Sequence, residues 1–327
     1  MSEVLELAGT LLSAALLASA IRLTVPILLA ALGAVFTERG GVVNIGLEGM
    51  MIMGTFWGAA TTYFTARALP ELVAAVPDLA PLAGMGAAVL AGAALALVHA
   101  VVAVTFRVDQ IISGVALNLL AVGLARFLNI LFFRVATQSP GIEGFTPISI
   151  PLLRDLPALA PVARNLSPVI PLALLLVVGG HWVLVRTRFG LRLRAVGEHP
   201  LAADTLGIDV YRMRYLGVLL SGALAGLAGG YLAIEQGHGY LEGMTQGRGF
   251  IALAAMIFGN WWPVGALGAS ALFGYFDALS LRVVALRIPY QFITVLPHIV
   301  TILVLAGVVR RAQPPAADGL PYAKEEE

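Results

Sequence analysis

The sequence predicts an all-α integral membrane protein with about ten transmembrane helices. Of its 327 residues, 59% are hydrophobic and only 12% are charged, and the mean hydropathy is +0.90. A soluble domain carries about 25% charged residues, so this chain cannot cover itself with a water-facing surface. The apolar residues also fall into runs of about 20, which is the length of helix that crosses a bilayer.

Eight apolar runs are clear candidates for spans, and one region is ambiguous. Arg22 and Pro26 divide this first region into Leu7–Ile21 and Leu23–Phe36, which form either two short helices or one long broken helix. Counting it as two gives a total of ten, with an error of about two. The clear candidates are Ile45–Phe64, Leu82–Phe106, Ile111–Phe133, Val169–Val185, Tyr215–Ile234, Phe250–Trp262, Val264–Val283 and Phe292–Val309. Among them, Phe250–Trp262 is short enough to be a partial span.

The distribution of arginine predicts the orientation of the chain. Residues 186–214 form the most basic loop, and an excess of Lys and Arg marks the cytoplasmic side. Alternating crossings then place an external loop, residues 134–167, outside and the tail, residues 312–327, inside. Residues 1–311 form a single transmembrane domain on this interpretation. The tail contains two adjacent prolines and ends in three glutamates, which predicts a disordered cytoplasmic segment.

Composition also excludes several classes of chemistry. The chain has no cysteine, which excludes disulfides, iron–sulfur clusters and thiol catalysis. Its five histidines are scattered without metal-ligand spacing, and no catalytic motif is present, so we expect no metal and no catalytic residue. Because Lys324 is the only lysine, the chain cannot build the Gly-Lys-Ser/Thr loop that binds ATP. A net charge of +1 gives no reason to expect a nucleic-acid partner.

Residues 37–58 place polar side chains beside and within an apolar run. Asn44, Glu48 and Thr55 share one face if this segment is helical. Ionisable groups at membrane depth usually face a protein interior or a wet path, so Glu48 either lines a translocation path or is satisfied by a neighbouring helix. Phe56 and Trp57 either stack on a ring-shaped substrate or are ordinary membrane aromatics.

Glycine spacing predicts close helix packing at two places. Gly54 and Gly58 form a GxxxG pair, and Gly222, Gly226 and Gly230 form a doubled one. Asn118 lies on a face with small residues at positions 114, 121 and 125, which favours a tight interhelical contact over a substrate-facing role.

A short helix is predicted inside the basic loop, over Pro200–Leu206. Proline is favoured in the first turn of a helix, and Gly207 is a typical terminator. Such a helix is either a docking element for a soluble partner or a helix lying on lipid headgroups, and composition leaves both open.

Four stretches together resemble the permease subunits of bacterial ABC importers, in the superfamily for branched-chain amino acids, simple sugars and nucleosides. They read ERGGVVNIGLEGMMIMG, VDQIISGVALNLLAVGL, RAVGEHPLAADTLGIDVYRMRYLGVLLSGALAGLAGGYL and GRGFIALAAMIFGNWWPVGALGASALFG. The NIGLEGM and IFGNWWPVGA forms are most similar to the nucleoside branch.

The resemblance implies a transport subunit with the ABC importer permease fold, and not an enzyme. It would form a path for a small polar solute, most consistent with a nucleoside, in the bacterial inner membrane with its C-terminus in the cytoplasm. The residues expected to line this path are Asn44, Glu48, Thr55, Phe56, Trp57 and Asn118. The residues expected to couple to the ATPase are Glu198, His199, Pro200, Ala202, Ala203 and Gly207.

The implied partners are a cytoplasmic ABC ATPase, a second permease chain (homologous or identical), an extracytoplasmic substrate-binding protein and the lipid bilayer. ATP and Mg²⁺ would be held by the ATPase, with no cofactor in this chain. The alternative is a proton-coupled secondary transporter, in which Glu48, Asp277 or His298 would carry the proton.

Overall fold

The computed structural model describes residues 13–149, 166–283 and 312–324. Within these ranges the chain is all-helical, apart from turns and two isolated antiparallel bridges. Its helices are α1 (Ala14–Glu38), α2 (Leu47–Ala68), α3 (Pro70–Ala75), α4 (Leu79–Ala100), α5 (Gln110–Phe133), α6 (Val169–Arg186), α7 (Arg188–Glu198), α8 (Pro200–Thr205), α9 (Val210–Tyr231), α10 (Arg248–Phe258) and α11 (Pro263–Val283). Two π-helical turns, Val101–Thr105 and Leu232–Gln236, extend α4 and α9.

Six helices are long and apolar enough to cross a membrane: α1, α4, α5, α6, α9 and α11. Helix α2 has spanning length, but Glu48 and several threonines and glycines lower its hydropathy. Helix α10 has only 11 residues, about 16 Å, which is half the thickness of the hydrocarbon core. The predicted span Phe292–Val309 lies outside the described residues. About ten spans were predicted for the chain, and the described part contains six helices that are long and apolar enough to cross a membrane.

The first apolar region is one continuous helix over residues 14–38, so of the two possibilities left open for it the structure shows a single long helix. Pro26 has no N–H, so it cannot donate to the carbonyl of Arg22. That carbonyl instead accepts hydrogen bonds from Gln236 Nε2 at 2.9 Å and from the Tyr231 hydroxyl at 3.3 Å. A neighbouring element thus satisfies the backbone group that proline leaves free, which allows the helix to continue.

Helix α9 packs in the centre of the described helices, against α1, α2 and α4. Glycines make this close approach possible, because a methyl group at Gly54 would lie 2.8 Å from the Cα atom of Gly226. From α4, a methyl group at Gly92 would lie 2.7 Å from the same Cα atom. Real Cβ atoms do not approach other atoms so closely, so larger residues here would push the helices apart.

Where the structure describes the tail, over residues 312–324, it contacts other segments of the chain, and the disorder expected for residues 312–327 stays a prediction. The N–H of Ala317 donates to the carbonyl of Gly197 at 2.9 Å, and the carbonyl of Leu320 accepts from Arg214 Nη1 at 2.9 Å. Composition alone predicted disorder because the tail has few apolar residues of its own. These two hydrogen bonds join the described part of the tail to segments that are distant in the chain.

Candidate functional site

The loop between α1 and α2, residues 39–46, is held by polar side chains of α4 and α5. The N–H of Val43 donates to Gln110 Oε1 at 2.6 Å, and the carbonyl of Val43 lies 3.0 Å from His99 Nε2. A carbonyl can only accept, so His99 carries its proton on Nε2, and Nδ1 accepts from the Ser113 hydroxyl at 3.0 Å. These contacts fix the loop that carries the predicted path residues.

Asn118 joins this loop to the first turn of α2. Its Oδ1 accepts from the N–H of Gly49 at 2.7 Å, and its Nδ2 donates to the carbonyl of Ile45 at 3.0 Å. The Gly49 N–H is one of the first four of α2, which have no partner inside their own helix. Both ends of the Asn118 amide therefore bind backbone, which is the geometry of an interhelical contact.

Glu48 caps the N-terminus of the short helix α10. Its Oε1 accepts from the N–H of Gly247 at 3.0 Å, and its Oε2 accepts from the N–H of Gly249 at 2.7 Å. The side chain is buried, and a carboxylate at this position is stabilised both by the free N–H groups and by the helix dipole. Of the two interpretations open at Glu48, this geometry corresponds to satisfaction by a neighbouring helix.

Asn44 and Thr55 are enclosed within the chain. Asn44 Nδ2 donates to the Ser221 hydroxyl at 3.0 Å, whereas Asn44 Oδ1 is buried and has no partner among the described residues. The Thr55 hydroxyl donates to the carbonyl of Ile52 in its own helix at 2.7 Å. Asn44 Oδ1 is therefore an unused acceptor at the start of α2.

The two predicted aromatic residues differ in exposure. Phe56 is fully buried, with its ring centroid 5.6 Å from those of Trp57 and Tyr240. Trp57 is half-buried and meets the half-exposed ring of Phe132 edge-on at 6.1 Å. Trp57 is therefore the more exposed of the two rings, and Phe56 packs behind it.

A second polar cluster, which the sequence did not single out as a site, joins the end of α1 to the turn after α10. Glu38 Oε2 accepts from Trp261 Nε1 at 2.6 Å, and Arg39 Nε donates to the carbonyl of Trp261 at 2.8 Å. The Arg39 guanidinium also lies 4.5 Å above the ring of Trp262. Burial lowers the pKa of Arg39, and the nearby Glu198 carboxylate opposes this shift. The ERGG and GNWW segments contain these residues. Their pairing could not be predicted from the sequence, because the two segments are more than 200 residues apart.

The predicted loop helix is present as α8, with its N-cap at His199 and Pro200 in its first turn. Leu201 and Ala202 are exposed, whereas Ala203 is buried against the rest of the chain. Gly207 has a φ of +78°, the left-handed conformation that ends a helix. Leu206, between them, is 81% exposed, so this loop presents apolar side chains to its surroundings.

Comparison with known proteins identifies the class of this chain. Residues 16–306 match the model of a family described as the permease component of the branched-chain amino acid transport system. The chain belongs to this permease family. It is a subunit of an ABC transporter, and its role is transport and not catalysis.

Three relatives have names that state a substrate. The permease is 45% identical over 304 residues to a guanosine ABC transporter permease of Bacillus subtilis, which covers 91% of this chain and 93% of the relative. It is 40% identical to a nucleoside ABC transporter permease of Lactococcus lactis, with the same coverage. A putative glucose ABC transporter permease of Haloferax volcanii is 34% identical over 92% of this chain and 93% of its own length. No solved structure matches the permease.

The groups named for the alternative of proton coupling are only partly described. Asp277 Oδ2 lies 3.8 Å from Arg248 Nη2, so its carboxylate is paired with an arginine at the start of α10. His298 lies outside the described residues. Over residues 13–149, 166–283 and 312–324, no group of three His, Asp or Glu side chains is arranged to hold a metal ion.

Proposed function

We propose that this permease imports nucleosides as part of an ATP-driven transporter. The observation that carries the proposal is the 45% and 40% identity, each over 91% of this chain, to two permeases named for guanosine and nucleosides. A nucleoside has no net charge, an aromatic face and several hydroxyls. It therefore suits a path that offers a ring and neutral hydrogen-bond partners.

The proposed path runs along α2 and the loop before it. Trp57 offers a ring to the base, and Asn44 Oδ1 is an acceptor without a partner among the described residues. Glu48 and Asn118 hold the helix starts that form the wall. Thr55 and Phe56 lie buried behind this surface in the same helix and support it.

The proposed assembly contains a cytoplasmic ABC ATPase, a second permease chain, an extracytoplasmic substrate-binding protein and the surrounding bilayer. ATP and Mg²⁺ belong to the ATPase. Residues 1–311 form the transmembrane domain, with about ten spans in the bacterial inner membrane and residues 312–327 in the cytoplasm. The coupling element is α8 with its flanks: Glu198, His199, Pro200, Ala202, Ala203 and Gly207.

The test is uptake by the complete transporter in proteoliposomes, with radiolabelled guanosine, uridine, glucose and leucine offered in parallel. We expect ATP-dependent uptake of the nucleosides only. Trp57→Ala should lower nucleoside uptake at least tenfold, while Phe64→Ala, on the same face of α2 two turns away, should leave it within twofold.

Two results would contradict the proposal. Uptake of glucose or leucine in preference to nucleosides would overturn the substrate class. Nucleoside uptake that persists with an inactive ATPase and collapses with an uncoupler would overturn the ATP-driven mechanism.

A further inference from the structure

The tail packs beside the loop helix α8. The N–H of Ala316 donates to Glu198 Oε2 at 3.2 Å, and Lys324 Nζ lies 3.7 Å from Asp204 Oδ1. Between these two ties, the buried ring of Tyr322 meets that of Tyr211 at 5.4 Å. Residues 316–323 therefore follow α8 along its length.

An apolar groove of about 720 Å³ separates the two segments. One wall is formed by residues 198–202 and the other by residues 316, 317 and 320–323. Leu201 on the first wall is 52% exposed, and Leu320 on the second is 57% exposed. Two half-exposed leucines on opposite walls form an apolar site that this chain leaves uncovered over its described residues.

We infer that residues 316–323 form the second wall of the docking site for the cytoplasmic ATPase. One element of the ATPase would then bind in the groove between α8 and the tail. The inference rests on the proposed function, because it takes α8 to be the coupling element. Residues 316–323 are continuous with the surface of α8, because both line the same groove. Contacts with Glu198 and Asp204 hold this part of the tail beside α8 at both ends.

Charge indicates the chemistry of the surface that docks here. Arg186, Arg188 and Arg192 are exposed on the segment leading to α8, and Arg212 is exposed just after it. The acidic side chains beside the groove are engaged within the chain, Glu198 by the tail backbone and Asp204 by Lys324. The fitting partner surface is therefore an apolar projection surrounded by acidic side chains.

The far side of the tail connects this wall to the loop between α1 and α2. Ala317 binds the backbone of Gly197, and Leu320 binds the buried Arg214. A methyl group at Gly41 in that loop would lie 3.1 Å from the Ala317 carbonyl oxygen and 3.2 Å from Arg214 Nη2. A movement of the tail, caused by the ATPase, would therefore be transmitted to the loop that carries Asn44 through the contacts of Ala317 and Arg214 with Gly41.

The absence of cysteine from the sequence makes a direct test possible. Single substitutions Ala202→Cys, Leu320→Cys and Leu72→Cys each introduce one reactive thiol, and all three positions are exposed. Leu72 lies in α3, away from the loop helix and the tail, and is the control. The full-length permease with its second permease chain would be prepared with and without the ATPase, and maleimide labelling rates would be compared.

We expect the ATPase to slow labelling at positions 202 and 320 at least tenfold and to leave position 72 unchanged. Protection at 202 with unchanged labelling at 320 overturns the inference and leaves the proposed function intact. Protection at neither position overturns the inference together with the proposed role of α8 as the coupling element, because it removes α8 from the docking site.

An affinity measurement gives an independent answer. Leu320→Glu should weaken ATPase binding to the permease at least fivefold, while Leu72→Glu should leave it unchanged. Thermal unfolding of both variants checks that the fold is intact, and an unchanged affinity for a folded Leu320→Glu permease would contradict the inference.

Discussion

Glu48 shows how a charged side chain is accommodated deep in an apolar protein. A buried carboxylate without partners is costly, and its energy is recovered only through hydrogen bonds and favourable dipoles. Here two N–H groups at the start of α10 supply both. The same carboxylate satisfies backbone groups that would otherwise be unpaired, so the charge and the helix end stabilise each other.

Removing this cap should destabilise the permease. Glu48→Ala leaves the N–H groups of Gly247 and Gly249 without an acceptor, at a cost of about 3 kcal/mol. We expect a lower melting temperature in detergent and reduced uptake. Glu143→Ala, which removes an exposed carboxylate, is the matched control and should change neither quantity. A Glu48→Ala permease with wild-type stability would show that the cap contributes nothing.

Asp318 predicts a dependence of tail docking on pH. Burial raises the pKa of Asp318 to about 6, although its hydrogen bonds with Glu38 and the Gly319 N–H and the charge of Arg214 act in the opposite direction. The pKa of an undocked aspartate is about 4, so the docked tail favours the neutral acid. The contribution of Asp318 to docking is therefore largest below pH 4 and is lost as the pH rises through about 6.

The change in docking free energy between pH 5 and pH 7 is about 1 kcal/mol. A spin label at Ala323→Cys should accordingly be more mobile at pH 7 than at pH 5. Asp318→Asn, which keeps the shape and removes the titration, should abolish this difference. Equal pH sensitivity in the two proteins would assign the effect to another group.

At the scale of elements, the contact between α4 and α9 depends on residues with small side chains or none. Gly84, Ala88, Gly92 and Ala96 repeat every four residues along α4 and are all buried. Glycine and alanine alternate along this stripe, so its neighbouring members form no GxxxG pair, and the sequence analysis did not predict it. Small residues at this spacing bring two backbones together where lipid supplies no hydrophobic driving force between helices.

Two glycines of α4 provide a matched pair of substitutions. A methyl group at Gly92 would overlap the carbonyl of Gly222, whereas one at Gly86 would meet nothing within 4 Å. We expect Gly92→Ala to lower the melting temperature clearly and Gly86→Ala to raise it slightly, since alanine favours helix by up to about 1 kcal/mol over glycine. Similar effects of the two substitutions would argue against the close contact.

Pro26 and Gln236 should be energetically coupled. Gln236→Leu removes the shorter of the two hydrogen bonds to the carbonyl of Arg22, and we expect a loss of about 1 kcal/mol. In a Pro26→Ala background the helix supplies its own N–H to that carbonyl, so the same substitution should cost little. A double-mutant cycle measured by thermal unfolding checks this, and purely additive effects would contradict it.

The sequence predicted the positions of the described spanning helices because the bilayer imposes one length and one composition on each span, but it did not predict the short helices α3 and α7. The positions of the predicted helices along the chain agree with the apolar runs, including the short α10 and the loop helix α8. Prediction from the sequence failed where a structural feature depends on a contact between residues that are distant in the chain. Neither the cap of Glu48 on α10 nor the pairing of Arg39 with Trp261 has a local period, because each joins segments about 200 residues apart.

At the scale of the whole molecule, the arginine distribution predicts which ends of the helices share a side of the membrane. The tail, α8 and the loop between α1 and α2 meet in the structure, so they must lie on one side. Leu72 lies in the connection between α2 and α4, at the other end of these helices. In intact cells, an impermeant maleimide should label Leu72→Cys, and should label Ala323→Cys only after permeabilisation. The reverse pattern would invert the proposed topology.

The contacts of the tail also set an order of events during biosynthesis. Residues 312–324 are translated after every segment that they touch, yet Arg214 in α9 is buried partly beneath them. A nascent chain therefore holds that arginine with an incomplete set of partners until the last part of its synthesis. A chain that ends before the tail leaves that arginine permanently without the carbonyl of Leu320 as an acceptor.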